Sequence, residues 1–187
     1  MWVQIYIITF LRCKLFFKNF QSLSALLFKI FILNLLPKIK LYMPVIKQIT
    51  AQQTFAVRQP VLRPGKSLDT CVFEGDDLAT TVHFGVFEDE NLLGVISVFK
   101  AGHDFFAEAD QYQIRGMAVL ESQQKKGLGE LLVRVAEDYI SQQNGKKIWF
   151  NAREIAVGFY KKMGYAVIGE PFNIGDIGIH YVMHKTL

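Results

Sequence analysis

The feature that most constrains this chain is a glycine-containing turn within RGMAVLESQQKKGLGELLVRVAEDYI, residues 115–140. The apolar residues before the turn read as the end of a strand. After the turn, Leu and Val recur at the spacing of an amphipathic helix. A helix that follows a strand in this way presents free backbone N–H groups and the positive end of its macrodipole at one place. The pattern predicts an anion site at the turn, with a flexible turn carrying solvated lysines as the alternative.

Two known phosphate-binding motifs are absent at this turn. The sequence has no GxxxxGK[ST], which excludes a P-loop. The dinucleotide fingerprint GxGxxG also fails, because Leu132 stands where its third glycine is required. Gly127 and Gly129 remove side chains beside the backbone, and Lys125 and Lys126 add positive charge.

The charge is distributed unevenly along the 187 residues. Residues 1–42 carry six basic residues and no acidic one, so residues 43–187 hold 15 basic and 17 acidic residues and a net charge of −2. The overall sequence pI near 9.0 is therefore a property of the first segment. It gives no argument for nucleic-acid binding by the remainder, and we expect no nucleic-acid partner.

The segment 1–42 is an N-terminal extension to a domain that we place at 43–187. Its basic residues interrupt its apolar stretches, and its uncharged stretches, such as Asn19–Phe28, are far short of the roughly 18 residues that a membrane span requires. A signal peptide is disfavoured because no small-residue cleavage site follows. Two alternatives stay open: a basic amphipathic helix on a membrane surface, or a start codon assigned too early, with Met43 as the true start.

The two cysteines, Cys13 and Cys71, show no CxxC spacing. They favour a reducing compartment, and we expect a cytoplasmic protein.

Strands and helices alternate along residues 43–187, which indicates an α/β sheet of mixed direction. A capping-box pattern at Thr50–Gln53 predicts a helix start, and that helix is expected to end near Pro60–Gly65. Other helices are predicted from Leu128 to about Asn144 and over 155–163. Strands are predicted at 45–49, 82–87, 92–100, 111–120, 147–151, 165–168 and 179–185, with a loop rich in Gly and Pro between the last two.

Two motifs together carry a resemblance to a known family. Gln124-x-x-Gly127-x-Gly129 resembles the Q/R-x-x-G-x-G/A signature of the GNAT superfamily of N-acetyltransferases, and AREIAVGFYKKMGYAVIGE, about 30 residues downstream, is similar to its later helix-and-strand motif. The resemblance covers essentially all of 43–187. It implies a mixed, mostly antiparallel sheet with flanking helices and two central strands that splay apart. Several further segments resemble a bacterial subgroup of unassigned substrate.

The resemblance implies acetyl-coenzyme A as the co-substrate. Backbone N–H groups from Gln124 to Gly129, with Lys125, Lys126 and Leu128 between them, are expected to hold its pyrophosphate. The pantetheine arm is expected to run beside Met117, Ala118 and Val119. A bulge in that strand exposes unpaired backbone donors, and the N–H of Met117 or Ala118 can face the thioester oxygen.

The expected reaction is direct attack of a primary amine on the thioester in a ternary complex. Tyr160 occupies the position of the superfamily's usual general acid, which protonates the leaving thiolate; core packing is the alternative for an isolated Tyr. An amine of pKa near 10.4 needs a base, and His180 is the best imidazole candidate, with a structural histidine as the alternative. Cys71 has no partner histidine nearby, so a thiol nucleophile is disfavoured.

Further binding residues follow from the same resemblance. Arg153 stands where many relatives have a cofactor-contacting Asn, and it could reach a phosphate or an acidic substrate group. Asn151 is expected either near the bulge, beside the cofactor, or as a helix cap. Arg58 and Arg63 are candidates for an anionic substrate group, with a plain surface loop as the alternative.

The acceptor is expected to be a small-molecule or peptide amine. The mildly acidic domain slightly favours a cationic one. The four histidines have no metal spacing, so no metal is expected. A homodimer is possible by analogy with the superfamily. The other functional hypotheses are a non-catalytic acyl-coenzyme A sensor and a membrane-tethered acetyltransferase directed by residues 1–42.

Overall fold

Seven strands form one twisted sheet in the computed structural model, which describes residues 44–187. The expectations placed on residues 1–42 lie outside the described residues. The strands are β1 (Val45–Ile49), β2 (Val82–Glu88), β3 (Asn91–Lys100), β4 (Gln111–Val119), β5 (Lys147–Arg153), β6 (Ala166–Ile174) and β7 (Gly178–Thr186). Their spatial order is β1-β2-β3-β4-β5-β7-β6, and every neighbouring pair is antiparallel except β4 with β5. The predicted mixed, mostly antiparallel sheet is confirmed.

Helices pack on both faces of this sheet. Helix α1 (Ala51–Leu62) begins with the predicted capping box, in which the Thr50 hydroxyl accepts from the Gln53 N–H and the Gln53 side chain accepts from the Thr50 N–H. Helix α2 (Leu128–Gln142) follows the glycine turn, and the short helix α3 (Val157–Lys162) follows β5. None of the helices within residues 44–187 is long and apolar enough to cross a membrane.

The apolar residues divide into a cluster on each face. The larger cluster joins α2 and α3 to the sheet through Leu128, Leu132, Tyr160, Phe150 and Ala152. The smaller cluster joins α1 to the opposite face through Val57, Leu62, Val95 and Ala118. Because successive strand residues point to opposite faces, the membership of each cluster shows which face a strand residue occupies.

The two central strands separate soon after they meet. Strands β4 and β5 pair only at Gln111–Lys147, Tyr112–Ile148 and Gln113–Trp149, and the later residues of each have no register partner in the other. Strand β4 also carries the expected bulge: Ala118 faces Val95 and Arg115 faces Ser97, so Gly116 and Met117 together oppose Ile96. The parallel pair therefore opens into a gap beside the bulge.

The C-terminal strands are longer than the sequence predicts. Strand β5 extends to Arg153, because Ala152 and Arg153 pair with Tyr181 and His180 of β7. The predicted loop between the last two strands is wrong in extent, since β6 runs to Ile174. Its register shifts between Ile168 and Phe172, around Pro171, and Pro is tolerated on an edge strand at such an irregularity.

Candidate active site

A cleft of about 850 Å³ occupies the gap between β4 and β5. It reaches both faces of the sheet, because its lining combines residues that pack with α2 and residues that lie beside α1. The α2 side contributes the glycine turn, Met117, Phe159 and Tyr160, and the α1 side contributes Leu62, Arg63, Phe73, Arg115, Asn151, Arg153 and His180. The gap therefore connects two half-sites through the sheet.

The glycine turn presents backbone donors to the first half-site. Lys125 and Gly127 both have positive φ, 62° and 84°, and Gly127 is the N-cap of α2. The N–H groups of the first helical residues, Leu128 and Gly129 among them, have no acceptor within the helix, which starts with the bond from the Leu131 N–H to the Gly127 oxygen. The turn thus has the geometry of an anion site.

Close packing explains the glycine at 129. A Cβ atom there would lie 2.9 Å from Cε of Met117 and 3.5 Å from Cζ of Phe159. The start of α2 is therefore held directly against the part of β4 that borders the cleft. Leu128, which also borders the cleft, is buried in the larger core cluster.

Two residues of the turn make hydrogen bonds within the protein, and Gln124 also lines the cleft. The Gln124 N–H already donates to the Glu121 oxygen at 3.2 Å, and the Gln124 side chain donates to the Val119 oxygen at 3.1 Å, so this residue ties the turn to β4. Lys126 does not line the cleft, and its Nζ donates to Oε1 of Gln123 at 2.7 Å. Of the two turn lysines, only Lys125 borders the cleft.

The bulge of β4 forms the middle of the cleft, and Gly116 is required for its shape. Gly116 has a φ of +59°, and a Cβ there would lie 2.7 Å from Cε2 of Phe73 and 2.8 Å from Nε of Arg58. Met117, Ala118 and Val119 follow it along the cleft wall, as expected for this strand. The bulge thus aims backbone groups into the gap between the strands.

Tyr160 places its hydroxyl beside the bulge. Its ring packs 4.3 Å from that of Phe150 and 4.9 Å from that of Phe159, and its hydroxyl donates to Sδ of Met117 at 3.1 Å. Burial raises the pKa of this phenol well above its ordinary value. A phenol with a raised pKa keeps its proton at neutral pH, so Tyr160 is in the protonated form that a general acid requires.

His180 lies on the α1 side of the gap and is 5% exposed. Its Nδ1 is 2.7 Å from the Gly178 carbonyl oxygen, which can only accept, so Nδ1 carries the proton in the neutral ring. Nε2 is then left as the lone-pair nitrogen, with no hydrogen bond to the described side chains of 44–175 and 177–187. The tautomer suits a base that accepts a proton in the cleft.

Arg58 is not in the cleft, and the structure does not support its predicted role in substrate binding. It is fully buried, and its guanidinium donates to both carboxylate oxygens of Asp76 at 2.6 and 3.0 Å, to the Cys71 oxygen and to Ser97 Oγ. The guanidinium of Arg58 therefore packs under Gly116 of the bulge, inside the core.

A buried histidine completes this network. His83 Nε2 is 2.9 Å from the Asp76 carbonyl oxygen, so Nε2 carries the proton, and Nδ1 accepts from the Ser97 hydroxyl at 2.6 Å. Both ring nitrogens of His83 therefore have a hydrogen-bond partner among buried residues, Ser97 and Asp76, which do not line the cleft. The group has a structural role and does not resemble a nucleophilic site.

Arg63, Asn151 and Arg153 line the cleft on its α1 side. Phe150 and Ala152 pack with α2, so Asn151 and Arg153, which alternate with them, face away from the glycine turn. The structure does not bring these two residues to the predicted pyrophosphate site. Asn151 also caps neither of the helical turns that follow it, whose N-cap residues are Arg153 and Ala156.

The surroundings of Phe73 were not predicted from the sequence. The guanidinium carbons of Arg58, Arg63 and Arg115 lie 4.2, 5.6 and 5.3 Å from the centre of its ring. The three arginines come from separate segments, and only the basic and aromatic composition of those segments could have suggested the cluster. Within residues 44–187 no group of three or more His, Cys, Asp or Glu side chains is arranged to hold a metal ion.

Comparisons with known proteins agree with this geometry. The family model described as Acetyltransferase (GNAT) family matches residues 51–165. The uncharacterized N-acetyltransferase YitI of Bacillus subtilis strain 168 is 36% identical over 142 residues, which cover 76% of this chain and 95% of YitI. The chain therefore belongs to the GNAT family of acetyltransferases, as its two motifs predicted.

Solved structures show the same fold at low sequence identity. The ribosomal-protein-S18-alanine N-acetyltransferase of Escherichia coli superposes with a TM-score of 0.62 at 15% identity, covering 77% of this chain and 94% of that one. An aminoglycoside 6'-N-acetyltransferase complexed with coenzyme A gives a TM-score of 0.59 at 16% identity, covering 76% and 96%. These proteins act on different acceptors by name, so the likeness defines the fold and not the acceptor.

Proposed function

We propose that this protein transfers an acetyl group from acetyl-coenzyme A to a primary amine by direct attack in a ternary complex. The observation that carries the proposal is the cleft itself, which joins an anion-binding turn on one face of the sheet to a histidine on the other. Acetyl-coenzyme A supplies the thioester and a diphosphate that matches the turn. The structures of relatives solved with coenzyme A support this choice.

Each half-site has a defined task in this proposal. The backbone amides of Lys125, Gly127, Leu128 and Gly129 hold the diphosphate, and Met117 to Val119 guide the pantetheine arm toward the bulge. Backbone donors of the bulge polarise the thioester carbonyl, an effect typically worth about 3–4 kcal/mol.

Proton transfer is divided between the two faces of the sheet. The amine nitrogen forms a bond to the carbonyl carbon, and His180 Nε2 accepts the proton that the amine loses. The C–S bond breaks, and the Tyr160 hydroxyl gives its proton to the departing sulfur, which has an ordinary thiol pKa of about 8.5. The products are an acetylated amine and a free thiol, and solvent returns the proton from His180 to Tyr160.

The proposal is tested with a panel of amines, acetyl-coenzyme A and a thiol-reactive dye. We expect thiol release with at least one amine, and we expect Tyr160→Phe to slow it at least tenfold. The affinity for coenzyme A, measured by calorimetry, should stay unchanged because the phenylalanine ring fills the same space.

The two alternatives give different results in this assay. Unchanged turnover in Tyr160→Phe would remove this residue from the mechanism. Tight coenzyme A binding without thiol release from any amine would favour an acyl-coenzyme A sensor.

A further inference from the structure

Two arginines on the α1 side of the cleft, Arg63 and Arg153, form no ion pair with a described carboxylate. Arg63 and Arg153 both line the cleft, and both donate to the same acceptor, the Leu62 carbonyl oxygen, at 3.0 and 3.5 Å. Among the side chains that the structure describes, those of 44–175 and 177–187, the ion pairs of arginine are Arg58–Asp76 and Arg134–Glu130, so neither cleft arginine has an acidic partner among them.

The two guanidinium groups of Arg63 and Arg153 repel each other. The pKa of Arg153 is lowered, first by burial and then by repulsion from Arg63. Arg115, a third guanidinium lining the cleft, also has a lowered pKa, chiefly through burial. An anion bound between Arg63 and Arg153 would screen their repulsion and would accept paired N–H donors in the fork geometry that guanidinium groups offer.

The face of the sheet on which the two arginines lie indicates whether their anion belongs to the coenzyme or to the acceptor. The diphosphate-binding turn belongs to α2, on the face where Phe150 and Ala152 are packed. Arg153 lies on the other face, and Arg63 is the C-cap of α1 on that same face. A diphosphate held by the turn therefore lies across the sheet from these arginines, and their anion belongs to the acceptor.

Arg153 and the candidate base, His180, lie side by side on one face of the cleft. Arg153 and His180 are direct partners in the β5–β7 ladder. Side chains of such partners share a face, with Cβ atoms about 5 Å apart. An amine that reaches His180 Nε2 while its anionic group reaches Arg153 therefore binds along this one face of the cleft.

We infer that the acceptor is a primary amine that also carries an anionic group, a carboxylate or a phosphate, bound by Arg63 and Arg153 while its nitrogen faces His180. The inference rests on the proposed acetyl transfer and narrows its substrate class. It replaces the slight preference for a cationic acceptor that the net charge of the domain suggested, because the local charge of the cleft is opposite to that of the whole domain.

The experiment uses matched pairs of amines and the full chain. The carboxylate arm compares each standard amino acid with its carboxamide, and the phosphate arm compares O-phosphoethanolamine with ethanolamine. The readouts are thiol release with acetyl-coenzyme A and, separately, calorimetric binding of each amine in the presence of coenzyme A. We expect at least one anionic member to exceed its neutral analogue about tenfold or more in kcat/KM or in affinity.

Three variants connect this preference to the arginines. Arg153→Gln and Arg63→Gln should each lower the ratio of anionic to neutral amine at least tenfold, and Arg153→Lys should restore part of it. Arg134→Gln, which changes an exposed arginine outside the cleft lining, is the matched control and should keep the wild-type ratio. Circular dichroism confirms that each variant is folded.

The outcomes separate this inference from the proposed function. If no anionic amine exceeds its neutral analogue in turnover or in binding, the inference is wrong, whatever the activity. It is also wrong if both glutamine variants keep the wild-type ratio of anionic to neutral amine. Weaker coenzyme A binding in variants that keep this ratio would assign the two arginines to the cofactor instead. Failure of the wild type to bind any coenzyme A or release any thiol would refute the acetyl transfer itself.

Discussion

Replacing Asp76 with alanine tests how the cleft is supported. Arg58 and Asp76 form an ion pair at 2.6 Å with side chains that are 0% and 1% exposed. The same carboxylate accepts from the Phe73 N–H at 2.8 Å. In Asp76→Ala, the guanidinium stays buried without a counter-charge, and the Phe73 N–H loses its acceptor.

The expected loss of stability follows from this burial. Removing one partner of a buried ion pair costs about 3–5 kcal/mol in the free energy of unfolding, because the remaining charge is uncompensated. For a domain of this size, that loss corresponds to a fall in the midpoint of thermal unfolding of roughly 10–15 °C. Urea denaturation gives the free energy, and differential scanning calorimetry gives the midpoint.

A surface pair provides the control. Lys100 and Asp110 are 3.7 Å apart with side chains that are 51% and 49% exposed, so Asp110→Ala should cost less than about 1 kcal/mol. The double variant Arg58→Met with Asp76→Leu should recover much of the loss, since it removes both charges. An Asp76→Ala protein within 1 kcal/mol of the wild type would refute the reasoning that this pair is a buried support of the bulge.

Three further predictions concern the cleft. Gly116→Ala should lower the free energy of unfolding, measured by urea denaturation, by more than about 1 kcal/mol, because its Cβ would meet Phe73 and Arg58 at a position of positive φ. Gly158→Ala, whose Cβ would meet nothing within 4 Å, should be neutral or stabilising, and equal values for the two variants would mean that the bulge can relax. His180→Gln should lower kcat/KM about 100-fold in the thiol-release assay, whereas His103→Gln, a change outside the cleft lining, should leave it unchanged. A His180→Gln protein with wild-type kcat/KM would show that His180 is not the general base. Burial raises the pKa of Tyr160, so the acid stays protonated and the wild-type rate should rise with pH as the amine is deprotonated, without a fall below about pH 10; a descending limb between pH 7 and 9 that Tyr160→Phe abolishes would contradict this role.

The local patterns of the sequence predicted the elements well where periodicity and capping agree. The capping box at Thr50 starts α1, and the leucine spacing after Gly127 gives α2. The predicted extent of β6 was wrong because Gly169 and Pro171 read as loop residues. In the structure both residues lie where the register between β6 and β7 shifts, so the strand continues past them. This pairing depends on a strand that is distant in sequence, and a local sequence pattern carries no information about it.

The site residues also fall into those whose position the sequence predicted and those whose position it did not. Tyr160, His180 and the glycine turn line one cleft as expected, since motif spacing places them relative to strands and helices. The roles of the arginines could not be predicted, because Arg58 is buried by Asp76 and Ser97, which are 18 and 39 residues away in sequence. The face occupied by Arg153 depends on where β5 ends, and the predicted strand stopped two residues early.

The central claim is that backbone amides of the turn before α2 hold the diphosphate of the coenzyme. The most direct measurement is a titration of the ¹⁵N-labelled protein with coenzyme A, followed by amide chemical shifts. The account predicts saturable shifts that are largest at Lys125, Gly127, Leu128 and Gly129, with smaller ones at Met117 to Val119. No shift at millimolar coenzyme A in well-folded protein, or shifts that leave the turn unaffected, would contradict it.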